Sequence, residues 1–158
     1  MSTASIGGCM EILLVEDNLE DARMTIEALK RQPVRCRVTL VCDGEEAMAF
    51  LRRQGVFGRA PAPHLILLDM ELPRKDGRQV LEEIRADNEL KDIPVIVLTG
   101  SLVHKAVLQA QDLRVDAYMT KPVSLEQFID AVKSLRRSRL VSMLMPAGEP
   151  SPSGPAKE

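Results

Sequence analysis

LILLDMELPRKDG, residues 65–77, decides how this chain folds. Its first four residues are apolar without a break, which marks a strand buried on both faces rather than on one. The run stops at an acid, Asp69, and Pro73 and Gly77 follow before Val80, Leu81 and Ile84 take up helical spacing. A buried strand that ends abruptly in a carboxylate and leads into a helix is one unit of a parallel, layered α/β domain.

The same unit recurs on either side. Upstream, Met10 to Val15 is apolar apart from Glu11 and ends in Glu16 and Asp17; Ala22, Ile26 and Leu29 then share a helical face as far as Pro33. Val38 to Cys42 reads as the next strand, closed by Asp43-Gly44, with Ala47, Met48 and Leu51 marking the helix after it. Downstream, Ile93 to Leu98 is a second buried run ending at Thr99, and Val103, Ala106, Val107, Ala110 and Leu113 form a stripe. Ala117 to Met119 is a short last strand before Thr120, Lys121 and Pro122, and Leu125, Phe128, Ile129, Val132 and Leu135 fall on one helical face. Five strands and five helices in strict alternation predict a doubly wound five-stranded parallel sheet, since right-handed crossovers leave few other topologies. The order 2-1-3-4-5 is a common one for such sheets.

Bulk properties narrow the function. The 158 residues suit one domain with a sizeable core. A net charge of −2 gives no global attraction to nucleic acid or anionic membrane, and 3% aromatics without tryptophan give no base-stacking platform. Three cysteines (Cys9, Cys36 and Cys42) lack metal-ligand spacing and read as small buried hydrophobes in a reducing cytoplasm. No stretch approaches the roughly 20 apolar residues of a membrane span, and MSTASIGGCM has neither part of a signal peptide. Residues 1–9 read as a leader, 10–137 as the domain and 138–158 as a tail. That tail is apolar through Met145, then rich in Pro, Ser, Gly and Glu, and expected to be disordered from Pro146.

In a doubly wound sheet, ligands bind outside the carboxyl ends of the strands. Glu16 and Asp17 end the first strand, Asp69 the third, Thr99 the fourth and Lys121 the fifth. With the first and third strands adjacent, the acids converge and repel one another. A hard divalent cation such as Mg²⁺ relieves that repulsion, because it takes one or two carboxylates and keeps waters and phosphate oxygens as its other ligands. Three carboxylates against Mg²⁺ and the Lys121 ammonium leave Asp69 able to approach a dianionic phosphoryl group, whose transfer requires mainly positioning and charge neutralisation. Asp43 is different: Glu46, three residues on, gives the spacing of a helix capping box. His64 and His104 have no convergent partners and read as structural, and the Met residues read as core filler.

ILLVEDN (12–18), LILLDMELPRKDG (65–77), PVIVLTGS (94–101) and DAYMTKPVSLEQF (116–128) closely resemble the receiver domains of bacterial two-component response regulators. The resemblance spans Met10 to Arg137 and implies a flavodoxin-like receiver fold. It implies that Asp69 is the phosphoacceptor, that Asp17, Asp69 and the backbone carbonyl of Glu71 ligate Mg²⁺, and that Glu16 acts through water. Thr99 and Lys121 would bind phosphoryl oxygens, Tyr118 would reorient on activation, and the Lys121-Pro122 bond would be cis. The partner implied is a sensor histidine kinase. The long connection Arg52 to Pro63 is similar to that of receivers paired with bacterial phytochromes.

The chain is then not an enzyme in the usual sense, but an acceptor that assists its own phosphorylation and dephosphorylation. About twenty residues remain after the last helix, too few for an attached DNA-binding domain. Five large apolar residues between Leu140 and Met145 could fold back on their own domain or cross to a second copy, and the resemblance to phytochrome-partner receivers implies a homodimer. A phosphatase of the haloacid dehalogenase type is the competing reading. It also uses a strand-end Asp and wants a second acid two residues on, where this chain has Glu71, but there is no cap domain.

Overall fold

Along β1 (Met10–Val15), successive side chains point to opposite faces of the sheet, and both directions meet apolar neighbours. Leu13 and Val15 enter one core, and Ile12 and Leu14 enter the other. The computed structural model describes residues 9–31, 35–72, 75–99 and 113–135. After β1 come α1 (Leu19–Lys30), β2 (Cys36–Val41), α2 (Gly44–Leu51), a 3-10 turn (Gly55–Phe57), β3 (Leu65–Asp69) and α3 (Gly77–Ala86). Then follow β4 (Val95–Thr99), β5 (Ala117–Thr120) and α4 (Leu125–Lys133).

The five strands pair in parallel in the order β2-β1-β3-β4-β5. Ala47, Met48, Phe50 and Leu51 of α2 and Val80, Leu81 and Ile84 of α3 cover one face. Ala22 and Leu29 of α1 and Phe128, Ala131 and Val132 of α4 cover the other. Every residue of β3 and β4 is buried, as expected of central strands with helices on both sides. At about 1.5–3 kcal/mol for each large apolar side chain, these two strands carry much of the core's stabilisation. Among the described residues no helix is long and apolar enough to cross a membrane.

Four α-helices lie within the described residues. The expected helix over 103–113 falls almost wholly on residues 100–112, outside them, as do His104, the leader up to residue 8 and the tail from residue 136. Some boundaries differ from the sequence reading. β2 runs from Cys36 to Val41 rather than from Val38 to Cys42, because the Cys42 N–H donates to Glu46 Oε1 at 2.8 Å and leaves the ladder. That contact also displaces the capping box expected at Asp43: Asp43 caps α2 by accepting from the Glu46 N–H at 2.7 Å, but Glu46 reaches past it to Cys42. A full capping box forms at α3 instead, between Asp76 and Gln79. β4 begins at Val95 rather than Ile93, since Pro94 has no N–H and the Ile93 N–H turns back to Leu90. The three cysteines are half-buried, not buried; Cys36 and Cys42 belong to or adjoin the edge strand β2. His64 is structural as expected, its Nδ1 accepting from the Glu11 N–H at 2.9 Å.

Candidate functional site

Register brings the acids together. Leu14 pairs with Leu67 and Val15 with Leu68, so one step further Glu16 stands beside Asp69 at the carboxyl edge. Glu16 continues the Ile12 and Leu14 direction and Asp69 that of Leu65 and Leu67, so both face α1 and α4. The ladder persists at these ends: the Glu16 N–H donates to Val41 O at 3.0 Å, and the Lys121 N–H to Thr99 O at 3.1 Å. Lys121 follows Met119 by two residues and so projects on the same side as the acids.

Carboxylate oxygens of Glu16, Asp17 and Asp69 lie within 4.8 Å of one another. Glu16 and Asp69 are buried and Asp17 is exposed. The Lys121 ammonium sits among them, with Nζ 2.8 Å from Glu16 Oε1, 3.2 Å from Asp21 Oδ2 and 3.4 Å from Asp69 Oδ1. The contact with Glu16 Oε1 is a close ion pair whose angle is poor for a hydrogen bond. Burial pushes the Glu16 carboxyl up to about 7; the Lys121 ammonium opposes that rise, and the Asp69 charge adds to it. For Lys121, burial alone would favour the neutral amine, but Glu16, Asp69 and Asp21 together hold it charged well above the ordinary range.

This donor set suits a hard divalent ion. Three carboxylates converge, one of them open to solvent, which leaves room for the retained waters that Mg²⁺ requires. Metal binding is therefore expected to displace a proton from Glu16. A group raised from 4.5 to about 7 holds its proton in the folded protein where the unfolded chain has lost it. Its contribution to metal-free stability is thus full below pH 4.5 and lost as pH rises towards 7. Mg²⁺ affinity should run the opposite way, tightening by up to about tenfold per unit from pH 6 and flattening above 7. Calorimetric titration in buffers of different ionisation enthalpy measures both the affinity and the released proton, and an affinity flat from pH 6 to 8 would contradict it.

The other expected residues are placed less closely. Thr99 ends β4 and is buried, one position past the residue that pairs with Asp69. Tyr118 of β5 is half-buried against the core beneath α2 and α3, and burial raises its phenol pKa. Glu71 is exposed and its side chain stands outside the carboxylate group. The Lys121-Pro122 bond is cis, as the resemblance implied.

Three residues escaped the sequence reading. Asp21 reaches Lys121 from the first turn of α1. Gln127 of α4 pins the turn after β5, its Oε1 accepting from the Thr120 N–H at 3.0 Å and its amide donating to Pro122 O at 3.0 Å. Gly77 lets α3 start against the strand end: a Cβ there would lie 2.5 Å from the Asp69 carbonyl oxygen and 2.7 Å from Met70 Cα.

A family model for the response regulator receiver domain matches residues 12–133. The response regulator Rcp1 of Synechocystis sp. is 42% identical over 136 residues, covering 86% of this chain and 92% of its own. Its solved Mn²⁺-bound form aligns with a TM-score of 0.70 at 41% identity, covering 82% of this chain and 97% of that one. The bacteriophytochrome response regulator RtBRR aligns at 0.78 with 36% identity, covering 90% and 84%. The phosphorylated cyanobacterial phytochrome response regulator RcpA aligns at 0.71 with 44% identity, covering 85% and 96%.

Proposed function

The chain belongs to the response regulator receiver family, and from that premise we propose that it takes a phosphoryl group onto Asp69 from a phosphohistidine of a sensor kinase. The observation that carries this reading is Asp69 at the end of a wholly buried central strand, with an ammonium 3.4 Å away and two further acids within 4.8 Å. An Asp69 oxygen attacks phosphorus as the P–N bond to the imidazole breaks, giving an aspartyl phosphate and a free histidine. Asp17, Asp69 and the Glu71 carbonyl would hold Mg²⁺, with Glu16 acting through water; the ion supplies charge that neutralises the phosphoryl oxygens. Lys121 donates to one of those oxygens and Thr99 to another, and Tyr118 reorients as β5 responds.

The receiver spans 10–137 in this reading, with a leader over 1–9 and a tail over 138–158. It works in the cytoplasm, assists its own phosphorylation and dephosphorylation, and passes the signal on through a protein surface. Likeness to Rcp1, RtBRR and RcpA favours a phytochrome-type kinase as partner. Mixing the chain with a phosphorylated histidine kinase and following the label tests the reading: one phosphoryl group should move to Asp69 and persist as an acid-stable, base-labile acyl phosphate. Rapid release of inorganic phosphate from aryl phosphates would favour the phosphatase class instead.

Assembly is proposed as a homodimer in which Leu140 to Met145 contributes. Five large apolar side chains there are each worth about 1.5–3 kcal/mol when covered. Light scattering at tens of micromolar on the full chain should give twice the monomer mass, and truncation after Arg137 should lower it. A monomer with and without phosphorylation would defeat the proposal, and a dimer that survives truncation would move the interface off the tail.

A further inference from the structure

We propose that Asp21 is a positioning residue that holds one N–H of the Lys121 ammonium while Asp69 is unmodified, and gives it up to the phosphoryl group. The inference rests on Asp69 being the acceptor and concerns how that site is regulated. An ammonium has three donors, and three separate carboxylates surround this one: Glu16 at 2.8 Å, Asp21 at 3.2 Å and Asp69 at 3.4 Å. Of the three contacts the one with Asp21 has hydrogen-bond geometry, so it fixes where an N–H points, and a phosphoryl oxygen on Asp69 competes with it for the ammonium.

Which partner yields follows from what each carboxylate would lose. The Glu16 side chain is 0% exposed, so water cannot replace the ammonium there. Asp69 itself carries the incoming group. The Asp21 side chain is 37% exposed, so water replaces the ammonium there at little cost. Asp21 also stands outside the three acids that would hold the metal.

Its reach is set by the chain around it. Asn18 caps α1 by accepting from the Asp21 N–H at 3.0 Å, and the Asn18 N–H donates to Glu16 Oε2 at 3.3 Å. The first turn of α1 is thus tied to the acidic crevice. An acid in that turn also favours the helix electrostatically. Glu20 shares that role, but it makes no ion pair with Lys121, which makes it a control.

The test follows phosphorylation of the full chain by acetyl phosphate with saturating Mg²⁺, read by intact mass. Asp21→Asn should raise the rate constant at saturating donor by about two- to fourfold, as loss of a partly exposed pair implies, with the half-saturating donor concentration unchanged. Asp21→Glu should return it towards wild type, and Glu20→Gln should leave it there. An unchanged or slower Asp21→Asn, or an equal rise in Glu20→Gln, would overturn the proposal. The wild type gives a reading that needs no variant: the Asp21 carboxyl ¹³C resonance should shift on phosphorylation, and a fixed resonance overturns the proposal as well. A labelled wild type with an indifferent Asp21→Asn sinks this inference alone, whereas a wild type that takes no label sinks the reading of Asp69 with it.

Discussion

Replacing Asp69 by asparagine should abolish phosphoryl uptake altogether: intact mass after acetyl phosphate and Mg²⁺ should show one added phosphoryl group on the wild type and none on the variant. Asparagine keeps the size and shape of the side chain but has no anionic oxygen to attack phosphorus. The neighbouring acids cannot stand in. Glu16 is buried beneath the Lys121 ammonium and is raised to about 7, so much of it is protonated near neutrality. Asp17 is exposed, and none of the ion pairs to Lys121 involves it. Removing Mg²⁺ with a chelator should come close to the same result by another route. Two unit charges 4 Å apart interact by about 4 kcal/mol at an effective dielectric near 20, and every 1.36 kcal/mol of barrier is about tenfold in rate. A phosphoryl dianion meeting acids compensated by Lys121 alone would therefore react orders of magnitude more slowly. Labelling of Asp69→Asn at wild-type stoichiometry would remove Asp69 from the acceptor role.

Gly77→Ala should destabilise the fold by about 3 kcal/mol, towards the upper end for overpacked positions, and lower the unfolding midpoint by about 10 °C. The new methyl would meet the Asp69 carbonyl oxygen at 2.5 Å and Met70 Cα at 2.7 Å, both backbone atoms with little freedom to yield. Alanine's better helix propensity returns at most about 1 kcal/mol, so the clash decides the sign. Relief requires α3 to back away or the end of β3 to bend, and bending moves Asp69 relative to Lys121. Phosphorylation should slow in the same variant. Gly58→Ala is the control, since its Cβ meets only the Gly55 carbonyl oxygen at 3.6 Å; thermal unfolding at fixed Mg²⁺ should leave it near wild type. Equal midpoints for the two variants would show that α3 moves without penalty.

Asp69 and Glu16 were legible in the sequence because side-chain alternation extends beyond a buried strand: once Leu65 and Leu67 are known to face one side, Asp69 must follow them. The order of strands then makes the acids neighbours. Asp21 was not legible, because its partner lies at position 121 and only the packing of α1 beside β5's end joins them. Gly77 read as punctuation before a helix, although its significance is the lack of a side chain facing the Asp69 carbonyl. The capping box was assigned to Asp43 on spacing alone. Spacing cannot tell whether Glu46 stops at the capping residue or reaches one further, to the N–H that β2 releases at Cys42. Boundaries at β2 and β4 shifted for the same kind of reason, since one hydrogen bond or one proline ends a ladder that apolar content would continue.

Tyr118 has a practical consequence for watching this protein work. It is the sole tyrosine in a chain without tryptophan, so emission excited in the tyrosine band, beyond phenylalanine absorption, comes from a single side chain. That side chain lies half-buried on β5, three residues before the lysine that faces the acids. Burial raises its phenol pKa, so the ring stays neutral through physiological pH and no tyrosinate background intrudes. The protein thus contains its own optical reporter on the strand that leads to Lys121, on the sheet face opposite the acids, and stopped-flow traces of the unlabelled chain can be assigned to that residue.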